Sequence, residues 1–244
     1  MRPQEARELG ERLTALVTAG EIELAVDLLS PLLAERTSFA VLRRIAAPVG
    51  GVAIQPANRL LARVAAGGTE GGWVVIATVL DGQLDRDLAG ALARCRDYII
   101  LASVWYAADT LGEGVAGQAL VRHFGPALDQ LVSWRQDAEA WVRRALGTAV
   151  HLWAKRSKGS AELSPEARAL LALLAPMFGE WEMDAVKGIG WGLKTMGRYY
   201  PNLVADWLAW DVIPAERRHR ALMLRKALTY LSAEQRARAT SHRT

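Results

Sequence analysis

The stretch KGIGWGLKTMGRYY, residues 187–200, decides how the fold is interpreted. Three alternate positions around its tryptophan are glycines: Gly188, Gly190 and Gly192. A dinucleotide-binding loop would follow a strand and would need a third glycine where Leu193 stands, so that reading is excluded. The helical period instead places the apolar residues in one stripe and Trp191 almost opposite that stripe, among lysines. We therefore predict a helix over residues 182–199.

The glycines of this predicted helix need a reason, because each costs about 1 kcal/mol relative to alanine in a helix interior. Close approach of another backbone, or of a ligand, would supply one. Trp191 lies off the core stripe, between Lys187 and Lys194. A functional surface explains that position, and so does burial against a neighbouring helix.

Nearly every other segment also has the helical period, and strand-like alternation is scarce. Paired short helices with centres about 40 residues apart predict an all-α solenoid of stacked HEAT-like helix pairs. We expect one domain over residues 1–244, with N-terminal helices in 1–36 and a tail that frays within 232–244. The candidate helices are 3–18, 21–35, 38–47, 56–66, 72–82, 85–94, 97–111, 115–124, 126–134, 137–156, 164–178, 182–199, 201–210, 214–230 and 232–239, and Ser164 is the expected N-cap of its helix.

Composition excludes several classes of protein. No apolar run is long enough to span a membrane, and the N-terminus does not resemble a signal peptide. The single cysteine, Cys95, rules out an internal disulfide, and the four histidines lack metal-binding spacing. We therefore expect a cytoplasmic protein without a metal.

The two halves of the chain differ in charge. Residues 1–130 carry 12 Lys/Arg against 15 Asp/Glu, whereas residues 131–244 carry 18 Lys/Arg against 11 Asp/Glu. The C-terminal half is therefore the one suited to binding a polyanion.

Two other predicted helices carry polar or aromatic groups away from their apolar stripes. Trp105 and Asp109 lie side by side at i and i+4 on the helix predicted over 97–111. On the helix predicted over 137–156, a cationic row formed by Arg144, His151 and Lys155 lies opposite the apolar side. A carboxylate beside aromatic faces stabilises a developing cation, and a cationic row suits a phosphate backbone. The combination points to cleavage of a bond whose transition state is an oxocarbenium ion, with DNA as the substrate.

At these positions the sequence resembles the DNA alkylation repair family of HEAT-like glycosylases, the AlkD-like enzymes. The resemblance is carried by WYAAD (105–109), WVRRA (141–145) and VKGIGWGL (186–193), in matching order over roughly residues 40–230. It implies a right-handed superhelix whose concave basic face holds duplex DNA. It also implies hydrolysis of the N-glycosidic bond of N3- or N7-alkylated purines, as a step in base excision repair, without a metal or cofactor and without extruding the base. One departure is Tyr106, where the family commonly has an acidic residue.

The resemblance implies a role for each matched residue. Asp109 would stabilise the oxocarbenium ion and position or deprotonate the attacking water, Trp105 and Trp191 would contact the lesion sugar and backbone, and Arg144 would hold a phosphate. The further candidate DNA contacts are Lys187, Lys194, His151, Lys155 and Arg198. The expected protein is a monomer in the bacterial cytoplasm, associated with the nucleoid when bound to DNA.

Two alternatives stay open at this point. A non-catalytic helical-repeat protein would bind damaged or branched DNA with the same cations and release no base. A helical scaffold for protein partners would need an exposed apolar groove, which the sequence does not favour over its tryptophans, carboxylate and cations.

Overall fold

A computed structural model describes residues 1–210 and 218–240, and in these residues it contains helices and no strand. This confirms the predicted all-α fold. The α-helices, in chain order, are α1 (Pro3–Ala19), α2 (Ile22–Ala34), α3 (Phe39–Ala46), α4 (Ile54–Ala66), α5 (Glu70–Asp81), α6 (Leu88–Ala102), α7 (Trp105–Leu111), α8 (Gln118–Arg122), α9 (Phe124–Leu131), α10 (Ala140–Ser157), α11 (Ser164–Leu174), α12 (Met183–Tyr199), α13 (Pro201–Trp210), α14 (Arg220–Ala227) and α15 (Ala233–Thr240). Short 3-10 turns extend several of them, and a π-helix (Gly112–Gly117) lies between α7 and α8.

The chain divides into two compact units, Met1–Val115 and Ala116–Thr244. In the first unit α1, α3, α5 and α7 pack in succession, and α2 packs against α4. In the second unit α10, α12 and α14 form one layer, and α11, α13 and α15 form another. Stacking of alternate helices in two layers is the arrangement of solenoid-like helical repeats. The single domain, the handedness and the concave face stay predictions.

Helix α5 shows why an apolar, β-branched segment folds as a helix here. The Thr69 hydroxyl accepts a hydrogen bond from the amide of Gly72 at 3.1 Å, which caps the first turn. The residues from Trp73 to Ala77 are all buried, so this helix lies between neighbours on every side and shows no amphipathic period. The helix predicted over 72–82 is confirmed and begins two residues earlier.

The helices predicted over 85–94 and 97–111 are wrong in their boundaries. Asp87 caps α6 by accepting from the amide of Gly90 at 3.0 Å, and α6 then continues to Ala102. The break comes at Ser103, whose φ of 46° is left-handed. Because the chain changes direction there, the apolar stripe of 97–111 cannot be drawn as one helix.

Other boundaries differ by smaller amounts. The N-cap of α11 is Leu163, and Ser164 lies inside the first turn without a side-chain cap. Of the helix predicted over 214–230, residues 214–217 lie outside the described residues, and the rest forms α14 and a 3-10 turn. The expected frayed tail contains α15, while residues 241–244 also lie outside the described part.

The glycines of α12 allow the helix to touch α10 backbone to backbone. A Cβ at Gly188 would lie 2.5 Å from the carbonyl oxygen of Arg144, and one at Gly192 would lie 2.6 Å from that of Gly147. A Cβ at Gly147 would in turn overlap the backbone of Gly188. This is the most extensive helix–helix contact within the second unit. Of the two expected reasons for the glycines, close approach of another backbone accounts for Gly188 and Gly192.

The substitution Gly188→Ala should lower the free energy of unfolding by ~2 kcal/mol, because the new methyl group collides with a helix backbone that cannot give way. Helix propensity alone predicts the opposite sign, a gain of about 1 kcal/mol. The matched control is Gly190→Ala on the same helix, where the methyl would meet only the flexible side chain of Lys226, at 3.2 Å. Urea unfolding of both variants measures the difference, and equal stabilities would contradict the packing argument.

Candidate functional site

Helix α7 presents Trp105 and Asp109 in the first unit. The helix begins at Trp105, directly after the left-handed Ser103 and the extended Val104. Its small residues and Leu111 are buried, whereas Trp105 is 55% exposed. Asp109 follows one turn later and is half-buried, so the carboxylate and the indole lie on neighbouring positions of the same helix face.

Tyr106 packs against the first tryptophan. The rings of Trp105 and Tyr106 meet edge to face, with centroids 5.8 Å apart and planes at 87°, which is a favourable aromatic geometry. Where the family pattern has an acidic residue, this chain therefore has a ring that supports Trp105.

The π-helix Gly112–Gly117 follows α7 directly. Single π-turns inside helices often occur at functional sites, because the wider turn redirects the side chains before it. The helical period of the sequence predicts an α-helix that begins at residue 115 and does not predict this π-helix. Its three glycines are the only sequence signal for it.

In the second unit Trp191 lies between α12 and the side of α10 and is half-buried. One face of its indole stacks on the imidazole of His151, with ring centroids 3.9 Å apart and planes at 27°. The sequence pattern leaves open whether Trp191 is a surface group or packs on a neighbouring helix. It does both, because one face is covered by α10 and the side chain still lines a cavity.

His151 is held in one orientation and in one protonation state. Its Nδ1 lies 2.7 Å from the Thr195 hydroxyl, which donates its single proton to the carbonyl oxygen of Trp191 at 3.1 Å. A hydroxyl that donates to this carbonyl accepts from His151, and this arrangement assigns the imidazole proton to Nδ1. Burial, and secondarily the charge of Lys155, lower the pKa of His151 to about 4. The ring is therefore neutral near pH 7.

Trp191 and His151 form part of a cationic cavity of about 200 Å³. Of the predicted DNA contacts, Lys155, Lys194 and Arg198 line it together with His151, and no described carboxylate does. In the part of the chain that the structure describes, none of these three cations forms an ion pair. The cavity also includes Thr195, Tyr199 and Tyr230.

The ring of Tyr230 lies under two of the cations. Lys194 Nζ is 5.4 Å and Arg198 Cζ is 5.5 Å from its centroid, distances at which the ring quadrupole attracts a cation. Tyr230 is not among the residues that the sequence pattern singles out. Tyr230 lies in the turn after α14, and α14 packs on α12 at Gly197. Nothing in the sequence around Tyr230 predicts that its ring lies beside the cations of α12.

Two predicted DNA contacts lie apart from the cavity. Lys187 is exposed and pairs with Asp184 at 3.0 Å on the first turns of α12. Arg144 is only 8% exposed, and its Nη1 donates to the carbonyl oxygen of Asp184 at 3.1 Å. The periodicity that places Arg144 opposite the apolar side of α10 therefore does not make it a surface residue, because α12 covers it.

Comparison with known proteins gives one match. A family model described as DNA alkylation repair enzyme matches residues 74–231. The comparisons with curated proteins and with solved structures returned no significant match. In the described residues, no helix is long and apolar enough to cross a membrane, and no group of three or more His, Cys, Asp or Glu side chains is placed to hold a metal ion.

Long-range nitrogen–proton NMR spectra should show His151 as the neutral Nδ1–H tautomer at pH 7, titrating near pH 4. Because its folded pKa lies below the ordinary value of 6.5, the unfolded chain takes up this proton first. The contribution of His151 to stability is thus fully present above pH 6.5 and is lost as the pH falls toward 4. His151→Gln should flatten that part of the stability profile. An imidazole titrating near pH 6.5 would contradict the assignment.

Proposed function

The chain belongs to the DNA alkylation repair enzyme family, which makes it a DNA-repair protein, and we propose that it is a DNA glycosylase. Its substrate would be duplex DNA that carries N3- or N7-alkylated purines, and its products the free base and an abasic site. The observation that carries this proposal is the half-buried carboxylate of Asp109 one turn after the exposed indole of Trp105.

The proposed reaction uses the charge of the lesion. A purine alkylated at N3 or N7 is cationic, so it leaves as a neutral base when the C1′–N bond breaks and takes the bonding electron pair. Positive charge then develops on the deoxyribose, where the carboxylate of Asp109 stabilises it by Coulomb attraction. The face of Trp105, one turn before Asp109 on α7, would add its ring quadrupole. Trp191 of the second unit would contact the lesion strand, as the family resemblance implies.

Water completes the proposed reaction. Its oxygen bonds to C1′, and its proton passes to Asp109 and on to solvent, so the enzyme is regenerated. Water is the only co-substrate, and the reaction needs no metal or cofactor. Because the lesion itself carries the positive charge that drives bond cleavage, no pocket is needed to activate the base, and we propose that the base is not extruded. We also propose that the protein acts as a monomer.

The cations of the second unit would bind the DNA backbone. Lys155, Lys194 and Arg198 lie around one cavity without a carboxylate partner among the described residues, an arrangement suited to a phosphodiester. Lys187, which lies on the first turns of α12 apart from the cavity, would add a separate contact to the DNA backbone. We also propose that Arg144 holds a phosphate, as the family resemblance implies, although α12 covers most of its side chain.

The alternative proposal is a non-catalytic protein that binds damaged or branched DNA. The cationic cavity supports it as well as it supports the enzyme, since salt-sensitive binding needs only the cations. Release of a base distinguishes the two. A half-buried carboxylate beside an exposed indole favours the enzyme, because binding to a polyanion gains nothing from a negative charge.

Asp109→Asn should preserve folding and DNA binding and lower release of 7-methylguanine from methylated duplex DNA by roughly 10²–10³-fold, as expected for loss of a group that stabilises transition-state charge. Mass spectrometry of the released bases measures this. The matched control is Asp97→Asn on α6, whose side chain is 72% exposed; this variant should keep wild-type release. Undiminished release by Asp109→Asn would refute the catalytic assignment.

Lys194→Gln and Arg198→Gln should each weaken binding to duplex DNA and reduce the slope of log K against log salt by about 0.9, the change expected for one lost phosphate contact. The control is Arg168→Gln, an exposed cation on α11 in the other layer of the second unit. Fluorescence anisotropy at several salt concentrations gives the slopes. Equal slopes for all three variants would remove the cavity from the proposed DNA contact.

A further inference from the structure

We infer that His151 and Thr195 are positioning residues that fix the indole of Trp191 as a wall of the cationic cavity, so that DNA meets only the face of Trp191 that His151 leaves open. This inference rests on the proposed function, because DNA is the proposed ligand of the cavity. It gives His151 a different role from the direct DNA contact suggested by its position on the cationic row.

The stacking geometry limits which parts of the Trp191 indole a ligand can contact. With ring centroids 3.9 Å apart and planes 27° from parallel, the imidazole covers one face of the indole. A sugar or backbone group therefore has access only to the other face and the edge. An unsupported indole on a helix surface could instead turn about its side-chain torsions, and holding it in place at binding would cost entropy.

The hydrogen bonds of Thr195 hold this pair together. Its hydroxyl oxygen is hydrogen-bonded to Nδ1 of His151 at 2.7 Å and donates to the carbonyl oxygen of Trp191 at 3.1 Å. Thr195 lies one turn after Trp191 on α12, so the hydroxyl joins the α10 imidazole to the backbone of the tryptophan that it supports. Removing either partner would release the ring.

The backbone contact between α10 and α12 sets the distance between the two rings. Gly147 on α10 lies against Gly188 and Gly192 on α12. His151 follows Gly147 by one turn, and Trp191 precedes Gly192 directly, so the same contact brings their side chains face to face. The stack is thus a consequence of the glycine positions, and it forms without DNA.

The neutral form of His151 suits this supporting role. Three cations, Lys155, Lys194 and Arg198, line the cavity with it. A charged imidazole would add a fourth positive charge behind Trp191, whereas the neutral ring packs without that repulsion. Desolvation, the main cause of its lowered pKa, therefore agrees with a packing role.

The test is a double-mutant cycle on the affinity for duplex DNA. His151→Ala should weaken binding ~3–10-fold, the range expected for losing a supporting aromatic pair. In a Trp191→Ala background the same substitution should change affinity by less than about 2-fold, because its effect acts through the indole. Independent, additive effects of the two substitutions would overturn the inference.

Conservative variants separate positioning from direct contact and from general destabilisation. His151→Phe keeps the stacking ring and loses the hydrogen bond to Thr195, so it should weaken binding about as much as Thr195→Val does and less than His151→Ala does. Thr195→Ser should bind as the wild type does, whereas Thr195→Val should weaken binding. Loss of affinity in His151→Phe equal to that in His151→Ala would show that the stacked ring does not support Trp191, as expected if the imidazole itself contacts DNA, and would overturn the inference.

The affinity readout keeps this inference distinct from the proposed chemistry. A wild-type chain that binds DNA and releases no base would refute the glycosylase, and the mutant cycle would still decide the role of His151. For a chain that does release bases, the cycle repeated on single-turnover excision should show the same coupling. Absence of DNA binding by the wild-type chain would overturn both proposals.

Discussion

The backbone-to-backbone contact of α10 with α12 determines where the functional side chains of the second unit lie. Two helices with ordinary side chains at their crossing are 8–10 Å apart, and glycine at Gly147, Gly188 and Gly192 removes the side chains from that crossing. Because the two helix backbones touch at these glycines, the side chains next to the glycines are brought into direct contact. The stack of His151 on Trp191 and the burial of Arg144 both follow from it.

A second contact of the same kind completes the cavity. Gly197, later on α12, lies so close to the carbonyl oxygen of Ala227 on α14 that a Cβ would overlap it. Tyr230 follows Ala227 by three residues, and its ring therefore comes under Lys194 and Arg198. Glycines on two sides of one helix thus bring both neighbours of its layer close enough to build the cavity walls.

The period of the sequence predicts the all-α fold and most of its helices, and these agree with the structure. It does not predict how far apart two helices lie. Trp191 is off the apolar stripe of α12 by sequence alone, yet only the crossing with α10 explains why one of its faces is covered. Arg144 shows the same limit, since the polar side of an isolated helix becomes buried when a glycine-rich helix packs on it.

The break at Ser103 is another feature that periodicity cannot supply. A serine in the left-handed conformation carries no local signal comparable to glycine, and apolar spacing continues on both sides of it. The side-chain directions of Trp105 and Asp109 relative to each other are still correct, because both lie within the shorter helix α7. Predictions of relative position thus hold inside one helix and fail across a break.

The charges that line the cavity have opposite effects on the stability of the free protein and on its affinity for an anion. Three cations gathered without carboxylates repel one another, although exposure and salt keep that cost small. Tyr230 offsets part of it through its ring, and the neutral His151 avoids adding to it. The phosphodiester proposed to bind there would remove the repulsion and supply a counter-charge, so the arrangement that slightly destabilises the free protein would favour the bound state.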